Sequence, residues 1–277
     1  CAMRAPISVR MMERVIAKAK QAGSACGCIR NSNHYGIAGY YAMMALEEDM
    51  IGLAMTNANP SVAPTFSVER LLGTNPIALA APAMEQPPFV ADFATSTIPR
   101  GKIVIAMRAG VEVPEGYVQD KHGNPTTDPN VVKDGGSLLP LGSDSIHSSH
   151  KGYCISGMVD ILSGILSGAS FGMWVPPISS YQQVMDDMPG KGTGHFFGAM
   201  RIDAFRPADD FKRMMDKWIE TFRNSKTVEG EEKVIVPGDP ERIRMEENLS
   251  MGIPMRDVIM EDLCTLATEL EVACSYA

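Results

Sequence analysis

No run of lysine and arginine occurs anywhere in this 277-residue chain, and the formal net charge is −8. Binding to a phosphate backbone needs a basic stripe, so nucleic acid is excluded as a partner. Long apolar runs are missing too. The best candidate, residues 155–171, is broken by Ser156, Gly157, Asp160, Ser163, Gly164, Ser167 and Gly168, and is too polar to span a bilayer. No membrane segment is expected. The opening residues, CAMRAPISVR, lack the apolar stretch of a secretory signal. They also do not begin with Met, which gives the expectation that sequence is missing upstream.

Cysteine is sparse, at positions 1, 26, 28, 154, 264 and 274, without the spacing of a disulfide scaffold or a zinc site. Reduced thiols in the cytoplasm are the expectation, with Cys26 and Cys28 as core residues of a strand and no bound metal. Absent as well are the glycine fingerprints that cradle dinucleotide or nucleotide phosphates, G-x-G-x-x-G and G-x-x-x-x-G-K-[ST]. Gly190-Lys191-Gly192-Thr193-Gly194 matches neither spacing and reads as a connecting loop that leads into a strand starting at His195.

What is present is an ordinary globular composition, 45% hydrophobic and 21% charged, enough for one large domain or two smaller ones. Residues 9–22 put Met11, Met12, Val15, Ile16 and Ala19 on one helical face. Residues 24–29 (SACGCI) read as a buried strand, 40–46 as a helix and 51–56 (IGLAMT) as a second strand. Alternation of this kind predicts a parallel or mixed sheet. Farther on, strands are expected at 77–81, 89–93 and 234–236, a hairpin about His122-Gly123, and helices over 100–108, 155–166, 207–222 and much of 241–273. The fold class expected is α/β (α+β), with a mixed-sheet domain at 1–232 and a helical segment of a second subdomain at 233–277.

The stretch Asn31-Ser32-Asn33-His34-Tyr35-Gly36 lies between the first strand and the next helix. Asn31, Ser32 or Asn33 is available to cap that helix. A neutral histidine at a helix start can accept a proton near neutral pH. The other reading is that His34 only closes the turn. Asp92, at the end of the strand 89–93, could accept a bond from a ribose hydroxyl or an amide, or, with Ser96, cap the helix that follows. His122 sits on a hairpin tip, and His147 and His150 in a Gly/Ser-rich loop.

Taken in order, Asn31-Ser32-Asn33-His34-Tyr35-Gly36, Thr56-Asn57, Leu72-Gly73-Thr74-Asn75-Pro76, Asp92-Phe93-Ala94-Thr95-Ser96, Gly123-Asn124-Pro125-Thr126-Thr127-Asp128, His150-Lys151-Gly152-Tyr153 and Pro237-Gly238-Asp239-Pro240-Glu241 resemble the motifs of the malate/L-lactate dehydrogenase family of NAD(P)-dependent 2-hydroxyacid oxidoreductases. Each is weak alone, and the ordered set is strong. The resemblance implies a non-Rossmann dinucleotide-binding domain, NAD or NADP as cofactor, and a small 2-hydroxy acid or 2-keto acid as substrate, malate or L-lactate first. It also implies a homodimer. By the same likeness His34 is the proton-transferring residue and lies against the cofactor, which Ala58, Asp92, Phe93, Ala94, Lys151, Gly238, Asp239 and Pro240 also contact. Thr74 and Asn75 shape the pocket. The family's N-terminal Ser-His-Gly motif and its carboxylate-binding arginine have no counterpart here. A truncated or non-catalytic nucleotide-binding paralogue, or a related imine or keto-acid reductase, is therefore the alternative.

Overall fold

The computed structural model describes residues 4–177, 188–255 and 257–273. Two compact units divide the chain, Cys1–Pro237 and Gly238–Ala277. The first contains α1 (Arg4–Ala22), β1 (Ser24–Ser32), α2 (Ala38–Met43), β2 (Met50–Thr56), β3 (Ile77–Ala81), β4 (Phe89–Phe93) and α3 (Arg100–Ala109). Then follow the short strands β5 (Val118–Gln119), β6 (Pro125–Thr126) and β7 (Ser137–Leu138), then α4 (Ser149–Asp160), β8 (Thr193–Arg201) and α5 (Ala208–Arg223). The second contains α6 (Asp239–Met251) and α7 (Asp257–Glu269).

A five-stranded sheet in the order β1-β8-β2-β3-β4 forms the centre of the first unit, and every pairing in it is antiparallel. The class of helices packed on sheet stands as expected, while the parallel or mixed sheet expected is instead antiparallel throughout its five strands. The reason is long-range. β1 and β2 do run in the same direction across α2, but β8, from residues 193–201, inserts between them and runs against both. No local pattern announces that insertion.

Alternation along β8 feeds both faces of the sheet. Phe197 and Ala199 join Met12, Val15, Ile16 and Ala19 of α1 and Tyr41 and Ala42 of α2 in one core. Phe196 packs on the opposite face with Met55, Val159 and Leu162. Burying such side chains contributes roughly 1.5–3 kcal/mol each. α2 sits so close to the sheet that a Cβ on Gly52 would collide with the carbonyl of Ala42. The small sheet β6-β5-β7 closes a third cluster built on Ile103, Ala106, Val62 and Leu138.

Other expectations need correction. Residues 234–236 are not a strand: the segment is irregular, and its end is held by Val90 N–H donating to the Pro237 carbonyl at 3.1 Å. Cys26 is exposed on the edge strand β1 and is not a core residue, while Cys28 is half-buried at the margin of the Met55, Val159 and Phe196 cluster. Both are free, as is Cys154, whereas Cys264 is disulfide-bonded. Cys1 and Cys274 lie outside the described residues. No helix among the described residues is long and apolar enough to cross a membrane.

Candidate functional site

β1 ends at Ser32 and α2 does not begin until Ala38, so residues 33–37 form an open corner, and His34 stands exposed in it. The corner is held locally. Asn33 Oδ1 accepts from the His34 N–H at 2.7 Å, and His34 Nδ1 accepts from the Gly36 N–H at 3.2 Å. The second bond needs an unprotonated Nδ1, so the neutral ring carries its proton on Nε2. None of Asn31, Ser32 and Asn33 caps α2, whose N-cap position is Ile37 with no side-chain bond. The cap comes from across the sheet: Asp92 Oδ2 accepts from the Gly39 N–H at 2.6 Å. Of the readings for Asp92, a bond from an amide is what the structure shows, made by the Gly39 backbone. It caps the helix before it in the chain, and α3, the helix after it, starts on Pro99 without a side-chain cap.

His34 lines a cavity of about 480 Å³ together with Tyr35, Thr56, Asn57, Ala58, Asn59, Thr74, Pro76, Pro99, Arg100, Gly101 and Thr193. Of the residues picked out in the sequence, His34, Ala58 and Thr74 are therefore brought together. The N–H of Ala58 is already committed to Asn75 Oδ1 at 2.9 Å, which leaves it a wall residue rather than a donor. Asn75, fully buried with φ +33°, also donates to the Ser156 carbonyl and hydroxyl, and so locks the Thr74 turn onto α4. Asp92, Phe93, Ala94 and Lys151 are not in the cavity wall. Asp92 and Phe93 end β4, and Lys151 is exposed in the first turn of α4. Gly238, Asp239 and Pro240 open α6 of the second unit, with Gly238 at φ +99° and Asp239 paired to Arg242.

Directly behind Tyr35 is His195, 0% exposed. Its Nδ1 lies 2.7 Å from Thr56 Oγ1 and its Nε2 2.8 Å from Ser32 Oγ, so one ring ties the ends of β1 and β2 to β8. Burial pushes its pKa down to about 4, His34 adds to that, and backbone contacts at Asn33 and Gly194 oppose it. It is a neutral structural histidine at pH 7. Asn57 fastens the same corner: its Oδ1 accepts from Gly194 N–H at 2.9 Å, and its amide donates to Asp160 Oδ1 at 3.1 Å and to the Ser170 carbonyl at 2.8 Å. Burial raises the pKa of Asp160 against the bonds it accepts from the Asn57 amide and the Gly172 N–H.

Arg100 is the residue that sequence reading missed. It opens α3, and with Pro99 and Gly101 it brings an uncapped helix N-terminus, free of acidic residues in its first turn, to the cavity that holds His34. Such a terminus favours an anion. The proline-initiated helix start was the available signal. Tyr35 contributes the other unassigned group: its hydroxyl is buried and has no hydrogen-bond partner among the described residues, and burial holds its pKa well above the ordinary value. A buried hydroxyl left unpaired costs about 1–3 kcal/mol. A histidine and an anion-favouring helix end thus share one cavity wall, an arrangement suited to a small acidic ligand. His122, His147 and His150 are all exposed, His147 against Asp144. Among the described residues no cluster suited to a metal ion occurs.

A family model described as malate/L-lactate dehydrogenase matches residues 2–264. The malate dehydrogenase of Pyrococcus horikoshii is 43% identical over 267 residues, covering 96% of this chain and 72% of that protein. Malate/(S)-sulfolactate dehydrogenase of Methanothermus fervidus is 37% identical over 271 residues, 98% of this chain and 74% of that protein. The crystal structure of malate dehydrogenase from Entamoeba histolytica superposes with a TM-score of 0.89 at 34% identity, covering 98% of this chain and 75% of that one.

Proposed function

The chain belongs to the malate/L-lactate dehydrogenase family, and from that premise we propose that the His34 cavity is where a small 2-hydroxy acid, malate first and L-lactate second, is converted to its 2-keto acid. The family is one of NAD(P)-dependent dehydrogenases of small hydroxy acids, and this protein is an oxidoreductase of that kind. The observation that carries the reading is the shared wall: His34 and the Arg100 end of α3 face one cavity.

NAD or NADP, when bound, supplies the hydride acceptor for the substrate C2–H bond. His34 takes the proton of the C2 hydroxyl, and in the reverse direction returns it to the oxygen of the keto acid. Overall, hydroxy acid and oxidised nicotinamide give keto acid, reduced nicotinamide and one proton. Since His34 Nδ1 accepts from Gly36 in the free protein, taking up the proton requires that bond to open, whichever ring nitrogen receives it. Arg100 pairs with the substrate C1 carboxylate, supported by the α3 N-terminus. Thr56, Asn57 and Asn75 hold the wall in place, so orientation is set before the ligand arrives. Ala58, Asp92, Phe93, Ala94 and Lys151 are proposed as cofactor contacts, supported by the family likeness of their motifs and, for Ala58, by its place in the wall. A homodimer is part of the proposal, supported by Met158, Ile161 and Ile165, 60%, 54% and 51% exposed along one helical stretch.

The test is His34→Ala. A positioned base contributes about 10²- to 10⁴-fold, so turnover of malate should fall by that factor while dinucleotide affinity, followed by nicotinamide fluorescence, changes little. Near-normal turnover sinks the assignment.

A further inference from the structure

A second, smaller cavity of about 220 Å³ adjoins the first, and its lining includes Arg70, Arg100, Lys133 and Ser61. Ser61 and Arg100 line both cavities, so Arg100 stands on the boundary between them. Three cationic side chains line this space and no carboxylate does. Arg70 is half-buried and held entirely by neutral acceptors: its Nε donates to the Gly136 carbonyl at 2.7 Å, and its Nη2 to the Val132 carbonyl at 2.6 Å and to Gly136. Those bonds satisfy hydrogens without neutralising charge, and among the described residues no bond engages the two N–H groups of Nη1. Burial and the neighbouring Arg100 both push the Arg70 pKa down, the mark of a cation placed where positive charge is unwelcome. A half-buried guanidinium with no anion opposite it is a costly arrangement unless a ligand brings the counter-charge.

We propose that this cavity is an oxyanion subsite that receives an acidic group projecting from the ligand seated beside His34, with Arg70 as its floor, Lys133 on its rim and Arg100 as its shared gatepost. The proposal rests on the reading of the His34 cavity as the substrate site. The favoured source of the acidic group is the second acid of a two-acid substrate, a carboxylate or sulfonate distant from the reacting carbon. A phosphate of the dinucleotide offers the same chemistry. A substrate ending in a methyl group leaves the cations unpaired, so the subsite discriminates by the penalty it imposes on one-acid substrates as well as by attraction.

The experiment uses the full chain with Lys133→Gln, on the exposed rim, and Arg70→Lys, which keeps the charge and loses the planar fork. Inorganic phosphate is titrated calorimetrically into each, and kcat/KM is measured for malate, L-lactate and the dinucleotide. The wild type should bind phosphate at one site, with Kd raised tenfold or more in both variants. If the second acid of the substrate is the occupant, the malate-to-lactate ratio of kcat/KM falls about tenfold. If a dinucleotide phosphate is the occupant, KM for dinucleotide rises by a similar factor with either substrate, and the subsite stands with that source. Unchanged phosphate affinity in both variants overturns the proposal, as does loss of phosphate binding with neither kinetic quantity moved. Should the protein oxidise no hydroxy acid at all, the dehydrogenase reading fails, while the calorimetry still decides whether Arg70 and Lys133 bind an oxyanion.

Discussion

The imidazole of His195 lies flat against the ring of Tyr35, with centroids 4.3 Å apart and planes within 10° of parallel. That stack puts a fully buried, neutral histidine directly beneath the corner carrying His34, and Tyr41 stacks on the other side of Tyr35 at 4.8 Å. The position of the exposed His34 is thus set by a buried ring whose charge state matters.

Protonation of His195 should unfold the protein at acid pH. Its pKa is held at about 4 in the fold against 6.5, so between those values the unfolded chain binds more protons than the folded one. Stability from this group is complete above pH 6.5 and is lost as pH falls toward 4, a loss of about 3 kcal/mol at 1.36 kcal/mol per unit. Urea denaturation at pH 7 and pH 4.5 checks it. In His195→Gln the pH dependence over that interval should be shallower by about 2 kcal/mol, and an identical slope in both proteins refutes the assignment.

Binding of keto acid and reduced cofactor should release Gly36 from His34. The ring now accepts the Gly36 N–H on Nδ1, a lone pair that an imidazolium does not have. Nitrogen NMR of the free protein should show the Nε2–H tautomer, and the Gly36 amide should shift upfield as the bond opens in the ternary complex. An amide resonance that does not move excludes this route.

Replacing Asp92 should first cost stability. The carboxylate accepts from Gly39 in the first turn of α2, and losing a helix cap costs about 0.5–2 kcal/mol. Asp92→Asn keeps an acceptor and should lose less than Asp92→Ala, as measured by thermal melting. If instead Asp92→Ala melts like the wild type and only KM for dinucleotide rises, the residue is a cofactor contact and its cap is incidental.

Gly194→Ala should loosen the site without touching any group that meets substrate. A Cβ there would run into the Ser163 carbonyl and crowd the Ser167 hydroxyl, and forced overpacking costs about 1–3 kcal/mol. Because Gly194 also donates to Asn57 and accepts from Thr56, turnover should fall together with Tm. A wild-type melting temperature would show that β8 and the segment Ile161–Ile165 can separate freely.

Much of this molecule was legible along the chain. Apolar spacing marked α1, α4 and α5, the His122-Gly123 turn marked the β5–β6 hairpin, and the polar stretch Asn31-Ser32-Asn33 after β1 placed His34 at a corner, although none of the three caps α2. These are signals between residues a few positions apart, where backbone preference and side-chain period act directly. Only the tertiary structure decided which strands pair, because β8 reaches β1 and β2 from well over a hundred residues away. It likewise made Asp92 the cap of a helix 53 residues earlier in the chain, buried His195 against Tyr35, and turned Arg100 toward His34. Each of those outcomes depends on desolvation and on hydrogen bonds between distant segments, quantities that come into being only when the sheet closes and that no local spacing of residues encodes.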